Sequence, residues 1–160
     1  MKLDSIDSAI LRVLQLDGRI TNFQLAKKVG LTPAPTLARV KKLEASGYIR
    51  RFVALVDQTK LNMPVTAFVS VILESHKKKT TVDFVKAVQQ LPEVLECHHI
   101  AGEEDFLLKV VAASPQDYER FVLDKLTKID GIEKVKTTFV LSSSKVETAI
   151  PVQETNETNV

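Results

Sequence analysis

Two sets of side chains in this 160-residue chain have the types and spacing to do chemistry. The first lies between Thr32 and Arg51 and comprises Thr32, Pro33, Ala34, Thr36, Arg39, Lys41, Lys42, Arg50 and Arg51. Cations at this density neutralise phosphates, and short side chains at the start of a helix can read base edges in a major groove. Thr32, Ala34, Thr36 and Arg39 are placed for base proximity, with Pro33 in the same first turn. Lys41, Lys42, Arg50 and Arg51 suit phosphates, which add affinity without telling one sequence from another. The second set is Cys97, His98 and His99. On a strand only Cys97 and His99 share a face, no further cluster completes a tetrahedral metal site, and no base stands beside a nucleophile. No metal, no cofactor and no enzymatic activity is expected.

The basic set needs a scaffold, and the stretch Thr21 to Ile49 provides one. Leu25, Ala26 and Val29 give a first short helix its apolar stripe, and Gly30 breaks it where a sharp turn needs a sterically free residue. A second helix starts at Thr32, whose hydroxyl is expected to cap free N–H groups, with Pro33 and Pro35 in the first turn. Leu37, Val40 and Leu43 are expected to pack inward, leaving Pro35, Ala38, Arg39, Lys41 and Lys42 on the outward face. The helical pattern alone also fits an ordinary solvated face. Ahead of this pair, Leu3 to Leu16 carries Ile6, Ile10, Val13 and Leu14 at helical spacing. Asp4 is placed to cap that helix, Asp7 lies in its first turn, and Gly18 follows its end. Three helices complete a small core. The following YIRRFVALVD reads as extended chain, a wing or a linking strand, up to a boundary at Asn62-Met63-Pro64.

Charge divides the chain unevenly. Residues 1–60 hold 11 Lys+Arg against 5 Asp+Glu, a net +6, and residues 61–160 hold 11 against 15, a net −4. A basic front half suits a polyanion and an acidic back half stays off it. No apolar run approaches the ~20 residues that span a bilayer, and MKLDSIDSAIL has acids where a secretion signal would be basic and then apolar. No membrane partner is expected. With a single cysteine and no disulfide framework, the expectation is a cytoplasmic protein.

From Val65 the texture changes. VTAFVSVILE reads as a strand, Lys77 to Lys79 as a solvated loop, and Thr81 to Leu91 as a helix stopped by Pro92. Val94–Ile100 and Phe106–Ala113 read as strands joined by Ala101 to Asp105. Ser114-Pro115 opens a second helix with Tyr118, Phe121, Val122, Leu126 and Ile129 on one side, Gly131 ends it, and Ile132–Leu141 is the last strand. Strand-helix-strand repeated twice is a split βαβ pattern, a four-stranded antiparallel sheet with two helices on one face. The bare face is expected to bury itself against another subunit.

Read together, these stretches resemble the Lrp/AsnC, or feast/famine, transcriptional regulators over almost the whole chain. The opening LDSIDSAILRVLQLDGRITNFQLAKKVGLTPAPTLARVKKLEASGYI is similar to that family's helix-turn-helix signature, and ECHHIAGEEDFLLKV to the loop and strands of its amino-acid-sensing domain. The resemblance implies an α+β chain: a winged helix-turn-helix DNA-binding domain over residues 1–50, a linker strand or wing over 51–64, and a ferredoxin-like βαββαβ sensing and oligomerisation domain over 65–150. Residues 151–160, polar and without periodicity, form a tail expected to be disordered. It also implies a dimer that binds double-stranded DNA, assembles further into tetramers or octamers, and responds to a free amino acid bound between subunits. Carried onto this sequence, the effector loop is Gly102, Glu103, Glu104 and Asp105. There Gly102 lets backbone N–H groups approach a carboxylate and Asp105 faces an α-ammonium. From a neighbouring subunit the last strand adds Thr137 and Thr138. Glu104 stands where the family often has an aromatic residue, so the effector is either apolar, such as leucine or methionine, or basic, such as lysine. The rival reading is a metabolite-sensing assembly protein without operator binding.

Overall fold

Asp4 opens the first helix, α1 (Ser5–Leu16), by accepting a hydrogen bond from the Asp7 amide at 2.7 Å, and the Asp7 carboxylate reaches back toward the Asp4 amide. This reciprocal cap satisfies two helix-end donors and sets negative charge at the positive end of the helix dipole. Thr21 and Gln24 build the same box at the start of α2 (Asn22–Val29). The α2 helix stops at Gly30, whose φ of 71° is left-handed, and the Leu31 amide donates back to the Ala26 carbonyl at 2.9 Å. That closure needs a residue without a Cβ penalty. Pro33 then begins α3 (Pro33–Ala45), where its missing N–H costs nothing.

In the computed structural model, which describes residues 2–75 and 78–153, the three helices close over Ile10, Leu11, Leu25 and Leu43, with Val29, Val40 and Ile49 packed around them. The expected inward stripe on α3 is corrected at one position. Leu37 is 44% exposed, and Thr36, fully buried, takes the inward place. Helical geometry gives the reason: Thr36, Val40 and Leu43 recur at four and three residues, whereas Leu37 stands six before Leu43, roughly 120° round the wheel.

The chain divides into two units, one running to Leu55 and including the stretch from Lys145, the other Val56–Ser144. By contacts the divide falls ahead of the Asn62 turn, and the stretch from Lys145 groups with the helices. The Gln15 side chain accepts from the Ile150 amide at 2.6 Å and donates to its carbonyl at 3.0 Å. Val152 packs against the three-helix core. Of the tail expected to be disordered, residues 151–153 are described and form no regular element, and residues 154–160 lie outside the described residues. Residues 51–57 form no regular element and 58–62 are turn, with no strand paired to them among the described residues.

The second unit holds β1 (Val65–Leu73), α4 (Lys78–Val88), β2 (Val94–His99), β3 (Phe106–Ala112), α5 (Pro115–Asp124) with a short 3-10 turn at Leu126–Lys128, and β4 (Ile132–Phe139). The sheet order is β2-β3-β1-β4, antiparallel throughout. Alternation sorts β1: Ala67, Val69, Val71 and Leu73 face Phe84, Val88, Tyr118, Phe121 and Leu126 in the core. Thr66, Phe68, Ser70 and Ile72 face the other way. This is the expected α+β split βαβ architecture. Lys78 and Lys79 belong to the first turn of α4 and not to a loop, while Lys77 lies outside the described residues. Among the described residues no helix is long and apolar enough to cross a membrane.

Candidate nucleic-acid interface and effector loop

The start of α3 is held by its neighbour, since the Asn22 side-chain amide donates to the Pro33 carbonyl at 2.8 Å. Thr32, Pro33, Ala34, Lys41 and Lys42 are exposed on or beside this helix, and Arg50 and Arg51 are exposed just beyond it. Ala34, Leu37, Ala38 and Lys41, at spacings of three and four, make one outward stripe. The exposed Leu37 was missed by reading the stripe one position out of phase.

Two of the expected base readers have other partners. Thr36 is fully buried and its hydroxyl donates to the Thr32 carbonyl at 2.9 Å, so it cannot reach a groove. The Thr32 hydroxyl makes no cap, although Thr32 does occupy the N-cap position. Arg39 is tied down. Its Nη1 donates to Asp4 Oδ2 at 2.6 Å and to Asp7 Oδ1 at 2.7 Å. The bond from the Asp7 amide, then the Arg39 guanidinium, lowers the Asp4 carboxyl against the opposing effect of desolvation, and the two carboxylates raise Arg39 in turn. In this arrangement Arg39 fixes the angle of α3 against the N-terminus of α1.

The β2–β3 hairpin carries the loop 101–105. The Ile100 amide donates to the Asp105 carbonyl at 3.0 Å, the Asp105 amide donates to the Val71 carbonyl at 3.0 Å, and Asp105 Oδ2 accepts from the Leu73 amide at 2.8 Å. One carboxylate oxygen therefore pins the loop to the end of β1. Gly102 has φ 149°, and nothing lies within 4 Å of where a Cβ would stand, so backbone conformation and not crowding calls for glycine.

Glu104 Oε1 faces Lys136 Nζ at 3.8 Å. Together with Glu103, Ser70, Ile72 and Lys134 they line a cavity of about 110 Å³ on the helix-free side of the sheet. Thr137 and Thr138 point to opposite faces: Thr137 Oγ1 meets the Tyr118 hydroxyl at 2.5 Å on the helix side, and neither threonine lines that cavity. The two lysines were not singled out from sequence; their period-2 spacing on the last strand, Lys134 and Lys136, was the available signal.

Cys97 is half-buried and burial raises its thiol. His99 stacks on Phe106 with centroids 4.9 Å apart, while His98 meets Glu96 at 3.0 Å. Among the described residues no three potential ligands gather.

Two family models match: a winged helix-turn-helix DNA-binding model over residues 3–50 and the Lrp/AsnC ligand binding domain over residues 66–150. Transcriptional regulator AzlB of Bacillus subtilis (strain 168) is 38% identical over 152 residues, 95% of this chain and 97% of that protein. The leucine-responsive regulatory protein of Escherichia coli (strain K12) is 37% identical over 143 residues, 89% and 87% of the two chains. Among solved structures, a Neisseria meningitidis transcriptional regulator in complex with L-Met superposes with a TM-score of 0.90 at 37% identity, covering 94% of this chain and 97% of that one. Matches that span both units, with the helix-turn-helix model ahead of the ligand-binding model, establish that this chain belongs to the Lrp/AsnC family of transcriptional regulators.

Proposed function

We propose that the protein is a sequence-specific regulator, acting in the cytoplasm, whose grip on double-stranded DNA responds to a free amino acid held at the Gly102–Asp105 loop. The observation that carries the DNA-binding half is the outward presentation of Pro33, Ala34, Ala38 and Lys41 on a helix anchored at both its start and its middle. Alanine and leucine side chains suit thymine methyl groups, and Lys41, Lys42, Arg50 and Arg51 suit the phosphates that flank them. Thr32, at the N-cap and exposed, stands where a backbone contact forms.

For the effector half, the L-Met bound by the Neisseria relative supports an amino acid as ligand, leucine or methionine on the apolar reading and lysine on the reading that follows Glu104. Glu103, Glu104 and Asp105 face it from the loop, with Thr137 and Thr138 offered by a neighbouring copy. The helix-free sheet face, with Phe68, Ile72 and Leu107 partly uncovered, supports pairing of copies into a dimer and its growth into tetramers or octamers. A ligand bound between copies then shifts the balance of assemblies, and with it the spacing of reading helices.

Retention on duplex DNA over a salt series tests the DNA half. Affinity is expected to fall linearly on a log–log plot, with Lys41→Ala lowering the slope by about one. Flat, negligible retention at every salt concentration would instead favour the metabolite-sensing assembly protein without operator binding.

A further inference from the structure

We infer that α3 recognises the 5-methyl groups of pyrimidines in the major groove, with Leu37 as the specificity-determining residue and Ala34 and Ala38 beside it. The inference rests on the proposed DNA-binding role of α3 and adds the chemical feature of the bases that the helix reads.

Over its first two turns the exposed face of α3 is Pro33, Ala34, Pro35, Leu37 and Ala38, and none of these side chains donates or accepts a hydrogen bond. The polar residues of the same stretch are engaged elsewhere. Thr36 is fully buried with its hydroxyl on the Thr32 carbonyl, and Arg39 bridges Asp4 and Asp7. The backbone adds little, since Pro33 and Pro35 carry no N–H and the Thr36 amide donates to the Thr32 carbonyl at 3.3 Å. These turns are the part of a reading helix that meets base edges.

Major-groove base edges present donors and acceptors, and the one apolar feature among them is the C5 methyl of thymine. A leucine laid against a G·C pair strips water from N7, O6 and N4 without replacing their hydrogen bonds, whereas against a methyl group it buries apolar surface on both sides. Leu37 is 44% exposed, stands one turn after Ala34 and next to Ala38, and is the bulkiest apolar group on that stripe. Its side chain leans back toward the start of the helix, the end that enters the groove. 5-Methylcytosine carries its methyl at the same place in the groove as thymine, so the same face distinguishes methylated from unmethylated cytosine.

Selection from a random duplex pool by the full chain supplies the probe, the tightest-bound duplex, which is then resynthesised with deoxyuridine in place of thymidine. That change removes methyl groups and leaves the hydrogen-bonding edges intact. Fluorescence anisotropy should show affinity falling roughly fourfold for each contacted methyl, the effect of about one buried methylene. A contacted T·A pair replaced by 5-methylcytosine·G should bind more tightly than the same pair replaced by unmethylated C·G. Leu37→Ala should shrink the preference for thymidine over deoxyuridine and leave the salt slope, which the lysines and arginines set, unchanged. Alanine suits a helix and Leu37 lies outside the three-helix core, so the variant folds.

Equal affinity for the thymidine and deoxyuridine duplexes overturns the inference, as does equal affinity for the methylated and unmethylated C·G duplexes or a thymidine preference that Leu37→Ala does not change. In each of these cases salt-dependent binding of duplex by the wild type preserves the DNA-binding role. No duplex retained from the pool at low salt defeats the DNA-binding role and the inference together.

Discussion

Arg39→Ala separates a positioning role from a base-reading one. In the native chain Arg39 Nη1 bridges Asp4 and Asp7 at 2.6 and 2.7 Å, and the Asp7 side chain is only 4% exposed. Truncation strands that carboxylate, with the Asp4 amide 3.5 Å away as a weak donor. Breaking a buried pair costs about 3–5 kcal/mol and an exposed one about 0–1 kcal/mol. The Arg39 side chain is 31% exposed, so water enters the vacated space and the expected loss is about 2–3 kcal/mol. For a domain of this size that lowers the melting temperature of the helical unit by roughly 4–8 °C per kcal/mol. In an Asp7→Asn background the same truncation should cost about 1 kcal/mol or less, because no ion is left behind. Denaturation followed by circular dichroism reads stability, and anisotropy of labelled duplex at fixed salt reads DNA affinity. Stability unchanged within about 0.5 kcal/mol, with DNA affinity lost, would refute the reasoning: the guanidinium would then be leaving its carboxylates to contact a base.

Two further outcomes follow from the same unit. Thr36→Val keeps the volume of a fully buried side chain but removes the hydroxyl that donates to the Thr32 carbonyl, so stability should drop by about 1 kcal/mol with DNA affinity unchanged, and any change in sequence preference would contradict its burial. The Asp4 carboxyl is held below its unfolded value of 3.8, so its contribution is complete above about pH 4 and is lost as pH falls through the lower folded value. Asp4→Asn keeps a good cap and should flatten the acid side of a stability-against-pH curve; a curve superposable on the wild type would remove Asp4 from the account.

Much of this molecule is local and therefore legible in one sequence. Asp4 three residues before Asp7, Gly30 after an apolar stripe, Pro33 at a helix start and Ser114-Pro115 at another each fix an element end through contacts within a turn. Strand-helix-strand order, repeated, was enough to set the sheet and its open face. Several departures involve partners far along the chain. Arg39 reads as a cation for DNA until α1 and α3 are packed and two carboxylates arrive from 35 and 32 residues away. Thr36 and Leu37 exchange places because a small core admits only one phase of the wheel. The residues after Phe52 have strand propensity, and among the described residues no strand pairs with them. The strap at Ile150 finds Gln15 across 135 residues. Lys134 and Lys136 meet Glu103 and Glu104 only because antiparallel pairing lays β4 beside the hairpin loop at the far end of β1. Sequence alone determined which segments form helices and strands and which family they build, since short-range sterics, capping and periodicity decide those. Tertiary packing alone decided which charges are spent holding the fold together and which stay available to a ligand, because that depends on neighbours no local pattern contains.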